Sequence, residues 1–155
     1  MPRFRILLAI AMAVMLTALS VASVAAADPP VRVYRLVLTG DQEVCEVPAT
    51  CGDPDAIGQM ILIVNSVTDT VCFGTRWSDI DGMVTAAHIH LAPAGVAGDV
   101  VVPLFVGVSL PGTSQLRGCV DGLGWTDDIN AEPAAFYVNI HSTVFPAGAI
   151  RAQLG

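Results

Sequence analysis

Met83-Val-Thr-Ala-Ala-His-Ile-His-Leu91 is the stretch whose reading decides the fold. Taken with a period of two, it puts Val84, Ala86, His88 and His90 on one side and Thr85, Ala87, Ile89 and Leu91 on the other. That is a β-strand with two imidazoles on one face. At a rise of roughly 3.3 Å per residue their Cα atoms stand about 6.6 Å apart.

Outward from this strand the chain keeps the same texture. Further strands are expected at Arg32 to Thr39, Gly58 to Asn65, Thr70 to Ser78, Asp99 to Val106, Gln115 to Val120, Ala135 to Ser142 and Ala149 to Leu154. Val, Ile, Phe and Tyr fill them, and Gly, Pro, Asp or Asn punctuate the gaps. Such regular short runs predict an all-β sandwich or barrel. One segment differs: Thr126 to Glu132 opens on a cap-like Thr or Asp and stops at Pro133, which predicts one short helix. In the strand from Ala135, alternation groups Tyr137, Asn139 and His141 against Phe136, Val138 and Ile140.

Composition narrows the chemistry. The 155 residues suit one domain, and 14 acidic residues against 7 basic ones leave a formal charge of −7. Every basic residue is arginine. Without lysine or a basic cluster the chain lacks what a nucleic-acid backbone requires, and Schiff-base chemistry and the phosphate-binding lysine of nucleotide loops are also excluded. No G-x-S-x-G, H-E-x-x-H or G-x-G-x-x-G occurs. Gly95-Val-Ala-Gly98 precedes a strand rather than a helix, so it is read as a hairpin connection. Gly52 to Gly58 carries two acids but lacks the remaining ligands of a calcium loop, so it is read as a turn.

The N-terminus reads as a secretory signal peptide over residues 1–27. Arg3 and Arg5 precede the apolar run from Ile6 to Leu19, and Ala25-Ala26-Ala27 offers the small-residue cleavage pattern. Cleavage before Asp28 is expected over retention as an anchor, because serine and alanine dilute the end of the run. The domain is then residues 28–155, secreted or at the cell surface, with no membrane span after cleavage. In an oxidising compartment Cys45, Cys51, Cys72 and Cys119 are expected as disulfides, Cys45 with Cys51 and Cys72 with Cys119. No C-x-x-C spacing supports a thiolate metal site or redox pair.

Three ordered motifs carry a family likeness. Leu38-Thr-Gly-Asp-Gln-Glu-Val44, Ala86-Ala-His-Ile-His90 and Phe136-Tyr-Val-Asn-Ile-His141, followed by Gly148 to Leu154, resemble the CHRD family, the domain repeated in chordin and found singly in microbial secreted proteins. The likeness spans roughly Val33 to Leu154. It departs at Cys45-Glu46 before the proline, at Leu91-Ala-Pro after the second histidine, and at Ala152 in place of glycine. The resemblance implies an immunoglobulin-like, Greek-key β-sandwich of about eight strands with one short helix, in an extracellular setting, and it implies no assigned reaction.

The histidines admit two readings. As hydrogen-bonding groups of the sandwich they would find partners in Tyr137, Asn139 and the backbone, as buried polar groups usually do. This makes the chain an extracellular binding or structural module for a ligand or protein not named by the sequence. Alternatively His88, His90 and His141 form a three-histidine copper or zinc site at roughly 2.0 to 2.1 Å per ligand, similar in pattern to the copper half of copper-zinc superoxide dismutases. No fourth histidine exists for a bridge or a second metal. Arg151, on the last strand, is expected either at a solvated edge or in an ion pair, or beside the histidine face as an anion-attracting group. Trp77 and Trp125 are expected in packing.

Overall fold

The computed structural model describes residues 29–45 and 50–155; the signal peptide expected over residues 1–27 lies outside them. Eight strands form: β1 (Val31–Thr39), β2 (Ile57–Asn65), β3 (Thr70–Ser78), β4 (Val84–Leu91), β5 (Asp99–Phe105), β6 (Ser114–Asp121), β7 (Phe136–Ser142) and β8 (Ile150–Gln153). Each lies within one residue, at either end, of the bounds expected from sequence. A single short helix, α1 (Thr126–Ala131), stands between β6 and β7.

All pairings are antiparallel, in the order β5-β4-β7-β8-β1-β2-β3-β6. The order has two halves. β1, β2, β3 and β6 form one, β4, β5, β7 and β8 the other, and they join at one register pair, Thr39 with Arg151. The halves enclose a common core: Leu62, Val64 and Phe73 from the first are in one cluster with Ile89, Val138 and Ile150 from the second. Phe73 and Trp77 meet Phe105 across the layers. The result is an all-β, barrel-like sandwich. Gly58 sits at a close approach of β2 and β8, since a Cβ there would come within 2.7 Å of Ile150 Cδ1.

The polar and apolar alternation of each strand is what makes this core. In β2 every second residue from Gly58 to Val64 is buried while Ile57, Gln59, Ile61 and Ile63 are exposed. β4 departs from its sequence reading at one end. A bulge between Val84 and Ala86 turns Val84 into the core, away from the histidines with which simple alternation grouped it. Against β5 the register also shifts, between Ala87 and His88 and between Ile89 and His90, and Leu91, the last residue of the strand, is exposed.

Two disulfides close the described chain, Cys45–Cys51 and Cys72–Cys119, and no described cysteine is free. Cys72 and Cys119 are directly opposed partners in the β3/β6 register. The helix begins differently from the expectation. Its N-cap is Trp125, with no side-chain cap, and Thr126 instead donates to Asp69 Oδ1 at 2.7 Å. Both tryptophans pack: Trp77 is buried with Nε1–H on the Pro111 carbonyl, and Trp125 stands edge-on to Phe136. The Gly52–Gly58 segment is held as a turn by Asp53, whose Oδ2 accepts the Asp81 amide at 2.8 Å.

Candidate metal centre

β4 and β7 are neighbours, with His88 opposite Asn139 and His90 opposite Tyr137. Their inward faces carry Ile89 and Val138 to the core. Their other faces bring together Ala86, His88 and His90 with Tyr137, Asn139 and His141, and β8 adds Arg151 and Gln153. This second face is also covered. His90, Tyr137, Asn139 and Arg151 are all buried, beneath the 92–98 connection that joins β4 to β5 as a hairpin. The molecule therefore has a polar layer on the far side of the sheet from its hydrophobic core.

The three histidines converge. One nitrogen from each ring lies within 4.8 Å of the others. His88 Nδ1 and His141 Nε2 are 3.1 Å apart, and His141 Nδ1 is 3.1 Å from the Pro146 carbonyl. A carbonyl only accepts, so Nδ1 of His141 carries its proton, Nε2 is bare, and His88 Nδ1–H donates to it. His90 Nδ1–H donates to the Gly98 carbonyl at 2.9 Å. Its Nε2 is 3.0 Å from Asn139 Oδ1, also an acceptor, so in a neutral ring with its proton on Nδ1 this second contact is a close approach and not a hydrogen bond. Burial is the largest cause pushing all three imidazoles toward the neutral form, His88 down to about 4, with the neighbouring rings adding to the effect at His88 and His141. Neutral rings are the form that binds metal.

The surroundings fix these rings. Tyr137 stacks on His90 with centroids 4.6 Å apart and planes 7° from parallel, and its hydroxyl accepts the Gly98 amide at 3.3 Å. Gly98 is sterically required there: a Cβ would collide with the Leu91 carbonyl oxygen. Arg151, 2% exposed, is no solvated edge residue. It donates to the carbonyls of Val96 at 3.0 Å and Pro93 at 3.1 Å and to Gln153 Oε1, pinning the 92–98 connection over the cluster. Its guanidinium also faces the Tyr137 ring.

Glu43, just after β1, had no role in the sequence reading although it stands in the Leu38 to Val44 motif. Desolvation pushes its carboxyl up to about 7, against the opposing pull of Arg151 and a hydrogen bond with Asn139. It rests against Gly148, where any side chain would strike it. Glu43, Asn139 and His90 thus form a continuous polar chain. Asn139 could be found from sequence, because it shares a strand face with His141. Glu43 could not, because nothing local signals the fold-over that buries it.

The family model for the CHRD domain matches residues 34–154. The chain belongs to the CHRD family. No curated protein and no solved structure matches it. The CHRD match supports, at a coarse level, a binding module of extracellular type. The two disulfides fit that setting, and among the described residues no helix is long and apolar enough to cross a membrane.

As a ligand set the cluster of this CHRD domain has definite chemistry. Three neutral imidazoles suit copper or zinc over calcium or magnesium. A common ion at about 2.0 to 2.1 Å from each nitrogen needs no pair of ligand atoms farther apart than about 4.2 Å. The widest pair, bounded at 4.8 Å, meets this by small ring movements.

Proposed function

We propose that this CHRD domain is an exported extracellular binding module whose specific ligand is one transition-metal ion, copper or zinc, held by His88, His90 and His141. The observation that carries the reading is the convergence of all three histidines of the chain on one covered face, with one nitrogen from each within 4.8 Å. Burial that keeps the rings neutral supports it, as do the Gly98 and Pro146 carbonyls, which accept Nδ1–H of His90 and His141 and leave Nε2 of each ring to a metal, His90 exchanging its approach to Asn139 Oδ1 for the ion. Arg151, within electrostatic reach of His90, supplies a positive charge beside the cluster; three of its five N–H donors are held by the Val96 and Pro93 carbonyls and Gln153, which favours an anion-attracting role through its field. No reaction is assigned: with three histidines there is no bridging ligand for the two-metal arrangement of the copper-zinc dismutases.

The test is calorimetry with Cu(II) and Zn(II) on the purified protein and on His88→Ala and His141→Ala, with nitrogen hyperfine structure in the copper EPR spectrum as a second readout. One ion per chain, lost in both variants, with nitrogen couplings from imidazole, is the expected result. Equal heats in wild type and variants overturn the site and leave the histidines as hydrogen-bonding groups of the module.

A further inference from the structure

A second feature lies on β1, β2, β3 and β6, strands that carry none of the histidines. Their outward side chains stand in register rows, and one row reads Arg35, Ile61, Gly74, Arg117. The next holds Arg76 beside Gln59, to which it donates through Nε and Nη2. Together they line a groove of about 910 Å³. Its floor is open at Gly74, where an added Cβ would meet nothing within 4 Å. A glycine in mid-strand weakens a sheet and is found where something approaches the backbone closely.

The groove has two characters. On the β1/β2 side, Val37 and Ile61 line it, and Val33, Ile57 and Ile63 stand on the same outward face beyond it; all five are 40–53% exposed, an aliphatic content of the kind that marks a binding surface. On the β3/β6 side stand Arg76 and Arg117, with Arg35 closing the row from β1. No carboxylate lines the groove, although acidic residues outnumber arginines 14 to 7 in the chain. Three guanidiniums without acidic neighbours, next to exposed aliphatics, are complementary to a molecule that is anionic at one end and apolar at the other. Arginine binds a carboxylate through two parallel hydrogen bonds.

Charge decides how large that molecule is. An anionic bilayer or polymer extends beyond the local arginines and meets the field of a chain of net charge −7. A single carboxylate placed between the guanidiniums feels chiefly these, since other charges are screened over about 8 Å at physiological salt. We infer that the outward face of β1, β2, β3 and β6 binds a small anionic amphiphile, a free carboxylate on an aliphatic chain, with the headgroup on Arg76 and Arg117 and the chain over Ile61 and its aliphatic neighbours.

The experiment titrates the purified protein with dodecanoate, kept below its aggregation concentration, and with dodecyltrimethylammonium as a cation of equal chain length. Dodecanoate is expected to bind one per protein and at least tenfold more tightly than the cation. Gly74→Leu, which fills the floor, and the pair Arg76→Gln with Arg117→Gln are each expected to weaken dodecanoate at least tenfold with circular dichroism unchanged. The arginine pair, being exposed, gives the answer even if Gly74→Leu disturbs the sheet. Equal binding of the two amphiphiles, or unchanged affinity in the arginine pair, overturns the inference. Capture by phosphatidylglycerol vesicles without dodecanoate binding overturns it in favour of a membrane surface.

Discussion

The guanidinium carbon of Arg151 lies 3.4 Å from the centre of the Tyr137 ring. Because β7 runs between β4 and β8, Tyr137 is flanked by Arg151 from one neighbouring strand and by His90 from the other. The ring relays packing from a loop-holding cation to a candidate ligand. Arg151→Lys keeps the charge but loses the planar fork that serves Pro93, Val96 and Gln153 together. The expected cost is about 2 kcal/mol in urea unfolding, and about 3 kcal/mol for Arg151→Met, which leaves both carbonyls without donors. Hydrogen exchange at the amides of residues 94–98 should quicken in both variants; unchanged exchange there would show that the loop is held by something else.

Glu43 gives the fold a pH dependence of its own. The folded carboxyl keeps its proton up to about 7 whereas the unfolded one releases it near 4.5. Between those values the native state binds more protons, so this group's contribution to stability falls as pH rises and is fully lost above pH 7. The imidazoles act with the opposite sign. His88 stays neutral in the fold down to about 4 against 6.5 unfolded, so its contribution is complete above pH 6.5 and is lost as pH falls toward 4. Glu43→Gln should therefore gain stability over wild type progressively from pH 4.5 to 7, read as a widening difference in urea midpoint. A difference that stays constant across that range would count against a buried, proton-holding Glu43.

The two disulfides should contribute unequally. Cys72 and Cys119 are 47 residues apart in sequence, and closing a loop of that size stabilises by about 4 kcal/mol in the chain-entropy account. Cys45 and Cys51 are separated by six residues and close a far smaller loop. Replacing the first pair by serine should lower the urea midpoint much more than replacing the second. Equal losses would mean that the short loop carries contacts beyond its own closure.

The proposed export has a direct check. N-terminal sequencing of secreted protein should begin Asp28-Pro-Pro-Val31. Retention of Met1 in a membrane fraction would show an anchored chain instead.

What could be read in the chain is governed by how local the cause is. Strand positions followed from alternation and turn residues, both local, and so did the shared face of Tyr137, Asn139 and His141. The bulge after Val84 was not legible, since it arises from the fit of β4 against β7 and not from any residue preference. Arg151 was placed on the right strand, but its burial depends on the 92–98 connection folding back, a contact across 55 residues from Val96. Glu43 was hidden for the same reason. The apolar-cationic groove needed the register of four strands, which joins Arg35 to Arg117 through Ile61 and Gly74.

The polar layer that holds the histidines lies outside the hydrophobic core, and what covers it is loop: the 92–98 connection over His90 and Arg151, and Pro146 beside His141. Scaffold and site can therefore change independently over evolutionary time. Lengthening, shortening or recomposing residues 92–98 would redraw who reaches the imidazoles while every residue between the two halves of the sandwich keeps its neighbours. A lineage could lose the cluster, retune it or open it to a bulkier guest and still inherit the same barrel.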